Sequence, residues 1–182
     1  LKHYGITDVQ IVPCRGELTD SYSPNEKVIR LSEKVYNSTS ISAVGIACHE
    51  AGHAAQHAED YLPNKIRSAL VPMTNFGSRF GLIIAFAGYF LAYFSNSPIG
   101  YYVIIAGLLL YGFVAVFQLV TLPVEFNASR RALKVIDETG ILAGEECNAA
   151  KSVLTAAALT YVAALATAIV NLLYYASRLL GN

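Results

Sequence analysis

The chain has 182 residues, enough for one ordinary domain or for a small domain with a few membrane helices. It is 54% apolar and only 14% charged, with a positive mean hydropathy, which argues against a typical soluble domain of this size. Its formal net charge is zero, so there is no electrostatic case for a nucleic-acid partner. The cysteines Cys14, Cys48 and Cys147 are odd in number and far apart. They suit neither a disulfide framework nor a CxxC zinc ribbon, and favour the reducing side of a membrane. The first residue is Leu1, not Met; the natural start is expected upstream, with room there for a signal or a further membrane helix.

In chain order, residues 1–70 are polar enough for water. Short β-branched alternations in Asp8–Cys14 and Glu26–Tyr36, with Gly16, Pro24 and Asn25 between them, predict two short strands, paired antiparallel. The segment Lys27–Glu33 reads as a plain structural strand or as an edge strand able to pair with an extended substrate. An Ala-rich helix follows the capping residues of "STSIS" and ends near "YLPNK", where Pro63 stops it.

Residues 71–124 hold two apolar runs separated by "SNSP" (Ser95–Pro98). The first, Phe80–Phe94, approaches the ~20 residues that a bilayer core demands when extended back to Phe76, with Arg79 able to snorkel at its end, and the uncharged run Ile99–Val124 exceeds it. Together they predict a transmembrane hairpin, with Tyr89, Tyr93, Tyr101 and Tyr102 near one interface. Residues 125–151 return to charge and predict a separate helix over Glu125–Thr139, closed by Gly140. Residues 152–182 supply a third membrane helix, Val153–Leu180, whose Ala and Thr content suits close helix packing. Lys65, Arg67 and Arg79 precede the hairpin, and Arg130, Arg131 and Lys134 follow it, while its connecting loop carries no basic residue. The positive-inside rule therefore puts both flanks in the cytoplasm. The expected fold is a mainly α integral membrane protein with a small α+β, zincin-like cytoplasmic domain and about three transmembrane helices.

The chemistry is concentrated in "CHEAGHAAQHAED", which holds three of the four histidines within nine residues. His49 and His53 are four apart, so on a helix both imidazoles face one side and can meet one metal ion. Glu50 between them can take a proton from a metal-activated water. The small residues Ala51, Gly52, Ala54 and Ala55 let another element, or a substrate, come close. A catalytic zinc takes three protein ligands and keeps one position open. His57 fails as the third on geometry: it lies eight residues past His49, about 12 Å along a straight helix. It reads instead as a residue that supports the ligands, packs, or meets an interface. Glu125 is the better candidate, an acid at the edge of an apolar run, where it is costly unless used or solvated. The competing reading of Glu125 is a helix N-terminal acid favoured by the dipole. Ser129, one turn on, faces the same way and can hydrogen-bond a ligand histidine.

The segments "CHEAGHAAQHAE", "LPNKIRSALVP", "LPVEFNASRRAL" and "LSEKVYNSTSISAVGIACHE" resemble the YugP-like family of membrane-bound neutral zinc metallopeptidases, over nearly the whole chain. That resemblance implies a gluzincin-type integral membrane peptidase, with Zn2+ held by His49, His53 and Glu125 and with Glu50 as catalytic base. More distantly, "EFNASRRA" is similar to a stretch of the HtpX and CAAX prenyl protease groups, with Ser129 where those carry Asp. A neutral hydroxyl orients a histidine less strongly than a carboxylate does.

The expected function is a zinc-dependent endopeptidase in the cell membrane. It would act at the cytoplasmic face on peptide or membrane-protein substrates, through a zinc-activated water. Arg130, Arg131, Tyr36 and His57 lie near the motif as oxyanion donors to be weighed. Two other classes compete. A scaffold with a structural zinc would need His57 or Cys48 as a fourth ligand and would leave Glu50 without a purpose. A metal transporter would want His, Asp or Glu inside the apolar runs, and none is there.

Overall fold

The computed structural model describes residues 1–95 and 98–180. After a short 3-10 turn at Lys2–Tyr4 come strands β1 (Gln10–Cys14), β2 (Ser21–Ser23) and β3 (Val28–Ser32). Helices α1 (Glu33–Tyr36), α2 (Ile41–Ala58), α3 (Leu62–Ser95), α4 (Ile99–Thr139) and α5 (Glu145–Leu180) follow. The protein is thus mainly helical with one small sheet. It divides into two compact units, Leu1–Asn64 with Pro123–Thr160, and Lys65–Leu122 with Tyr161–Asn182.

In the first unit the sheet order is β1-β3-β2. β1 pairs with β3 in parallel from Gln10 opposite Val28 to Cys14 opposite Ser32, and β2 pairs with it antiparallel. The antiparallel pairing expected of the two stronger strands is therefore corrected to a parallel one. The reason is β2: "SYS" lacks β-branched alternation, yet it turns back through Pro24–Lys27 and takes the antiparallel side of β3. That leaves β1 on the other side. β3 is central, so the edge-strand reading of Lys27–Glu33 also falls. Residues 33–36 leave the sheet as α1, whose start is held where Asp20 accepts from the Ser32 backbone N–H at 2.8 Å.

α2 is buried on two faces. Ala43, Ala54 and Ala55 pack with Ile6, Ile29, Leu31 and Val35 in the core that holds the sheet. Ile41, Val44 and Cys48 pack against Ile136, Leu142 and Ala150 of the chain's later part. The Ser40 hydroxyl accepts from the Ala43 N–H, which caps the helix where the sequence signals it. The helix ends at Ala58, with Asp60 in the left-handed region at φ 58°. Pro63 does not stop α2; it stands in the first turn of α3, where its missing N–H costs nothing.

α3, α4 and α5 are long and apolar enough to cross a membrane, at 34, 41 and 36 residues. Residues 96 and 97 of the expected "SNSP" break lie outside the described residues. The separate helix expected over Glu125–Thr139 is corrected: α4 continues through Pro123 without a break. Proline removes one N–H from the ladder, but the helix on both sides of it is long. Its later part is also anchored by a buried stripe, Val124, Ala128, Ala132 and Ile136.

Within the second unit α3 and α4 touch backbone to backbone. A methyl group added at Gly81 would lie 2.7 Å from the Tyr111 amide nitrogen, and one added at Gly88 would lie 2.6 Å from that of Ile104. Gly77, Gly81, Ala85, Gly88 and Ala92 thus form one face of small residues, the kind of seam that lets helices approach closely without a hydrophobic driving force. The opposite faces present Phe80, Ile83, Phe90, Leu109 and Leu119 outward.

Candidate metal centre

α2 and the later part of α4 build the centre, and Gly52 sets their spacing. A Cβ at Gly52 would lie 2.7 Å from the Ala128 carbonyl oxygen, so no L-side chain fits between these backbones without a shift. This close approach brings Glu125 to the histidines. Its Oε2 lies 3.2 Å from Nε2 of His49 and 3.5 Å from Nε2 of His53. The two rings meet edge to face, with centroids 4.7 Å apart. One ligating atom from each of His49, His53 and Glu125 falls within 4.8 Å of the other two.

Glu125 is 2% exposed and sits deep inside α4, far from its start at Ile99. The reading of Glu125 as a helix N-terminal acid is therefore corrected: no helix begins there. A buried carboxylate facing two imidazoles needs a positive charge in the group, from a proton or a metal. Two ligands at ~2.0–2.1 Å from a tetrahedral zinc stand about 3.3 Å apart, which is the spacing between Glu125 and each histidine. Two nitrogens and one carboxylate oxygen are also a donor set that zinc accepts. The residues fit the ion.

The outer nitrogens of both rings are engaged. The Ser129 hydroxyl lies 3.2 Å from Nδ1 of His49, as its position one turn after Glu125 suggested. Nδ1 of His53 lies 3.0 Å from Oε1 of Gln56. Gln56 is fully buried, and its amide group donates to the Val124 carbonyl at 2.8 Å and to Asn127 Oδ1 at 2.9 Å. Sequence reasoning missed this residue. The available signal was a polar side chain in an Ala-rich helix, three residues past His53 and so on its face.

Glu50 is 7% exposed. Burial pushes its carboxyl above the usual carboxylate range, against the opposing pull of His53 and His49. For His53, burial works against the charged form, but the hydrogen bond and charge of Glu125 outweigh it, and the net direction is up.

His57 stands apart from the three gathered residues: its Nδ1 lies 2.9 Å from the Tyr22 hydroxyl on β2. Cys48 packs in the apolar cluster around Ile136. Arg131 is held by Asn127 and, through both terminal nitrogens, by the Glu59 carboxylate at 2.8 and 2.7 Å.

A helix with two histidines, packed against a small sheet, and a carboxylate delivered from a second helix make a candidate metal site, in a chain with three helices long and apolar enough to cross a membrane. The family described as "Putative neutral zinc metallopeptidase" matches residues 1–179, and the chain belongs to it. The "Putative membrane protease YugP" of Bacillus subtilis (strain 168) is 44% identical over 171 residues, which cover 94% of this chain and 73% of that protein. No solved structure matches.

Proposed function

We propose that the protein is a membrane-embedded, zinc-dependent endopeptidase whose zinc is held by His49, His53 and Glu125. The observation that carries this reading is the convergence of one nitrogen from each histidine and the buried Glu125 carboxylate within 4.8 Å. The sheet and α2 serve as a small zincin-like catalytic part. The apolar lengths of α3, α4 and α5 hold it in the lipid bilayer, which we take to be the cell membrane.

When bound, zinc supplies Lewis acidity for the attacking water and for the scissile carbonyl. Glu50, on α2 between the two ligand histidines, accepts the proton released as water attacks and passes it to the departing amine nitrogen. Its carboxyl is raised by burial, which favours holding that proton between the two steps. Ser129 and Gln56 orient the histidines through their outer nitrogens, and the Gly52–Ala128 contact fixes the distance between the two helices. A structural zinc would want a fourth protein ligand. His57, turned to Tyr22, and Cys48, packed around Ile136, do not supply it.

The test is reversible metal removal. Purified protein treated with a chelator is expected to lose cleavage of an unfolded protein substrate and to regain it with zinc. Cleavage that persists after complete metal removal would refute the reading.

The basic residues on both flanks of the α3–α4 pair support a centre that faces the cytoplasm. With the three native cysteines replaced, a cysteine at Ser95 is expected to react with an impermeant thiol reagent on intact cells, and one at Asp137 is not. The opposite pattern would turn the site outward.

A further inference from the structure

Two hydrogen-bond partners on α4 settle which way the Gln56 amide points. Its nitrogen faces the Val124 carbonyl oxygen at 2.8 Å, and a carbonyl can only accept. It also faces Asn127 Oδ1 at 2.9 Å, an oxygen that receives a second bond from Arg131 Nε at 2.8 Å. Turning the amide over would set the Gln56 oxygen against two acceptors in a fully buried place, with two donors lost. The Gln56 oxygen must therefore be the atom that faces His53, 3.0 Å from Nδ1. An amide oxygen has nothing to donate, so the proton of that bond belongs to His53 Nδ1. Nε2, 3.5 Å from the Glu125 carboxylate, is then the nitrogen left to meet a metal ion, which would displace any proton it carries.

From this we propose that Gln56 is a positioning residue that locks His53 in the Nδ1–H tautomer and presents its Nε2 to the metal. The inference rests on the zinc site proposed above and adds to it an asymmetry between the two histidines. His49 is backed by a hydroxyl, which can donate or accept and so does not by itself choose a tautomer. His53 is backed by an acceptor pinned from behind. The pinning is relayed along α4: Asn127 is held by Arg131, and Arg131 is held by Glu59 at the end of α2. Gln56 therefore ties the second ligand histidine to the helix that carries Glu125, so that both ligands move as one body. A buried amide with all these bonds made is rigid, and its loss leaves the Val124 and Asn127 oxygens short of a donor.

The test uses the full chain in detergent, with Gln56→Met and Gln56→Leu beside the wild type. Zinc affinity by competition with a chromophoric chelator is expected to fall ~10–100-fold in both variants, the usual consequence of removing a ligand's hydrogen-bond partner. Nitrogen-15 spectra of the zinc-loaded wild type are expected to show His53 Nδ1 carrying a slowly exchanging proton, with that proton exchanging rapidly in Gln56→Met. A merely structural role would not move this signature. Variants that fold and bind zinc as tightly as the wild type would overturn the inference. So would a wild-type spectrum with the metal on Nδ1, and that spectrum decides the matter even if both variants fail to fold. A wild type that binds no zinc sinks the site reading itself. The metal-free wild-type spectrum then still tests the tautomer: a proton on Nε2 and none on Nδ1 would overturn it.

Discussion

Glu50→Gln is expected to keep its zinc and its fold while losing ~10²–10⁴-fold or more in peptide cleavage, the range for a removed general acid–base group. Glutamine has the shape of glutamate, so the packing around this 7%-exposed side chain is preserved. The change removes a buried, ionisable group whose burial already disfavours its charge. Stability is therefore expected to hold or to rise slightly. Nothing in the ligand set is altered, because Glu50 is not one of the three gathered residues. On the proposed mechanism, what is lost is the acid between His49 and His53 on α2 that takes the proton of the attacking water. The measurement is cleavage of an unfolded protein substrate, with zinc content determined on the same samples. A Glu50→Gln protein that cleaves at the wild-type rate would remove Glu50 from the mechanism. One that loses its zinc would show that the carboxylate belongs to the metal's support.

Parts of this arrangement were legible in the sequence for simple reasons. A separation of four residues on a helix puts His49 and His53 on one face, and only the helix had to be inferred. The apolar runs announced three long helices through length alone. An acid directly after an uncharged run of Ile99–Val124 is conspicuous because it is costly.

Other parts were hidden for equally physical reasons. The return to charge at Glu125 made the apolar run and the stretch after it read as two helices; a continuous ladder on both sides carries α4 through Pro123. The continuity matters to the site, because it places Glu125 on a helix interior instead of at a frayed end. β2 escaped notice because three residues of "SYS" carry no strand pattern, and its partner β3 supplies the ladder. Missing it reversed the direction assigned to the β1–β3 pair. Gln56 looked like an ordinary polar residue on a helix; its burial comes from α4, about 70 positions later in the chain. Gly52 stood among several small residues, and only the Ala128 backbone singles it out.

The central claim is that Glu125 joins the two histidines as the third protein ligand. It makes Glu125→Ala a change of large effect. This substitution removes a carboxylate lying 3.2 and 3.5 Å from Nε2 of His49 and of His53 and leaves two histidines, which would hold zinc weakly on their own. The most direct measurement is zinc bound per chain after equilibrium dialysis, in wild type, Glu125→Ala and His57→Ala. The account predicts about one zinc per chain in the wild type and in His57→Ala, and loss of zinc in Glu125→Ala, as a three-ligand catalytic site requires. Full zinc occupancy in Glu125→Ala together with its loss in His57→Ala would contradict it.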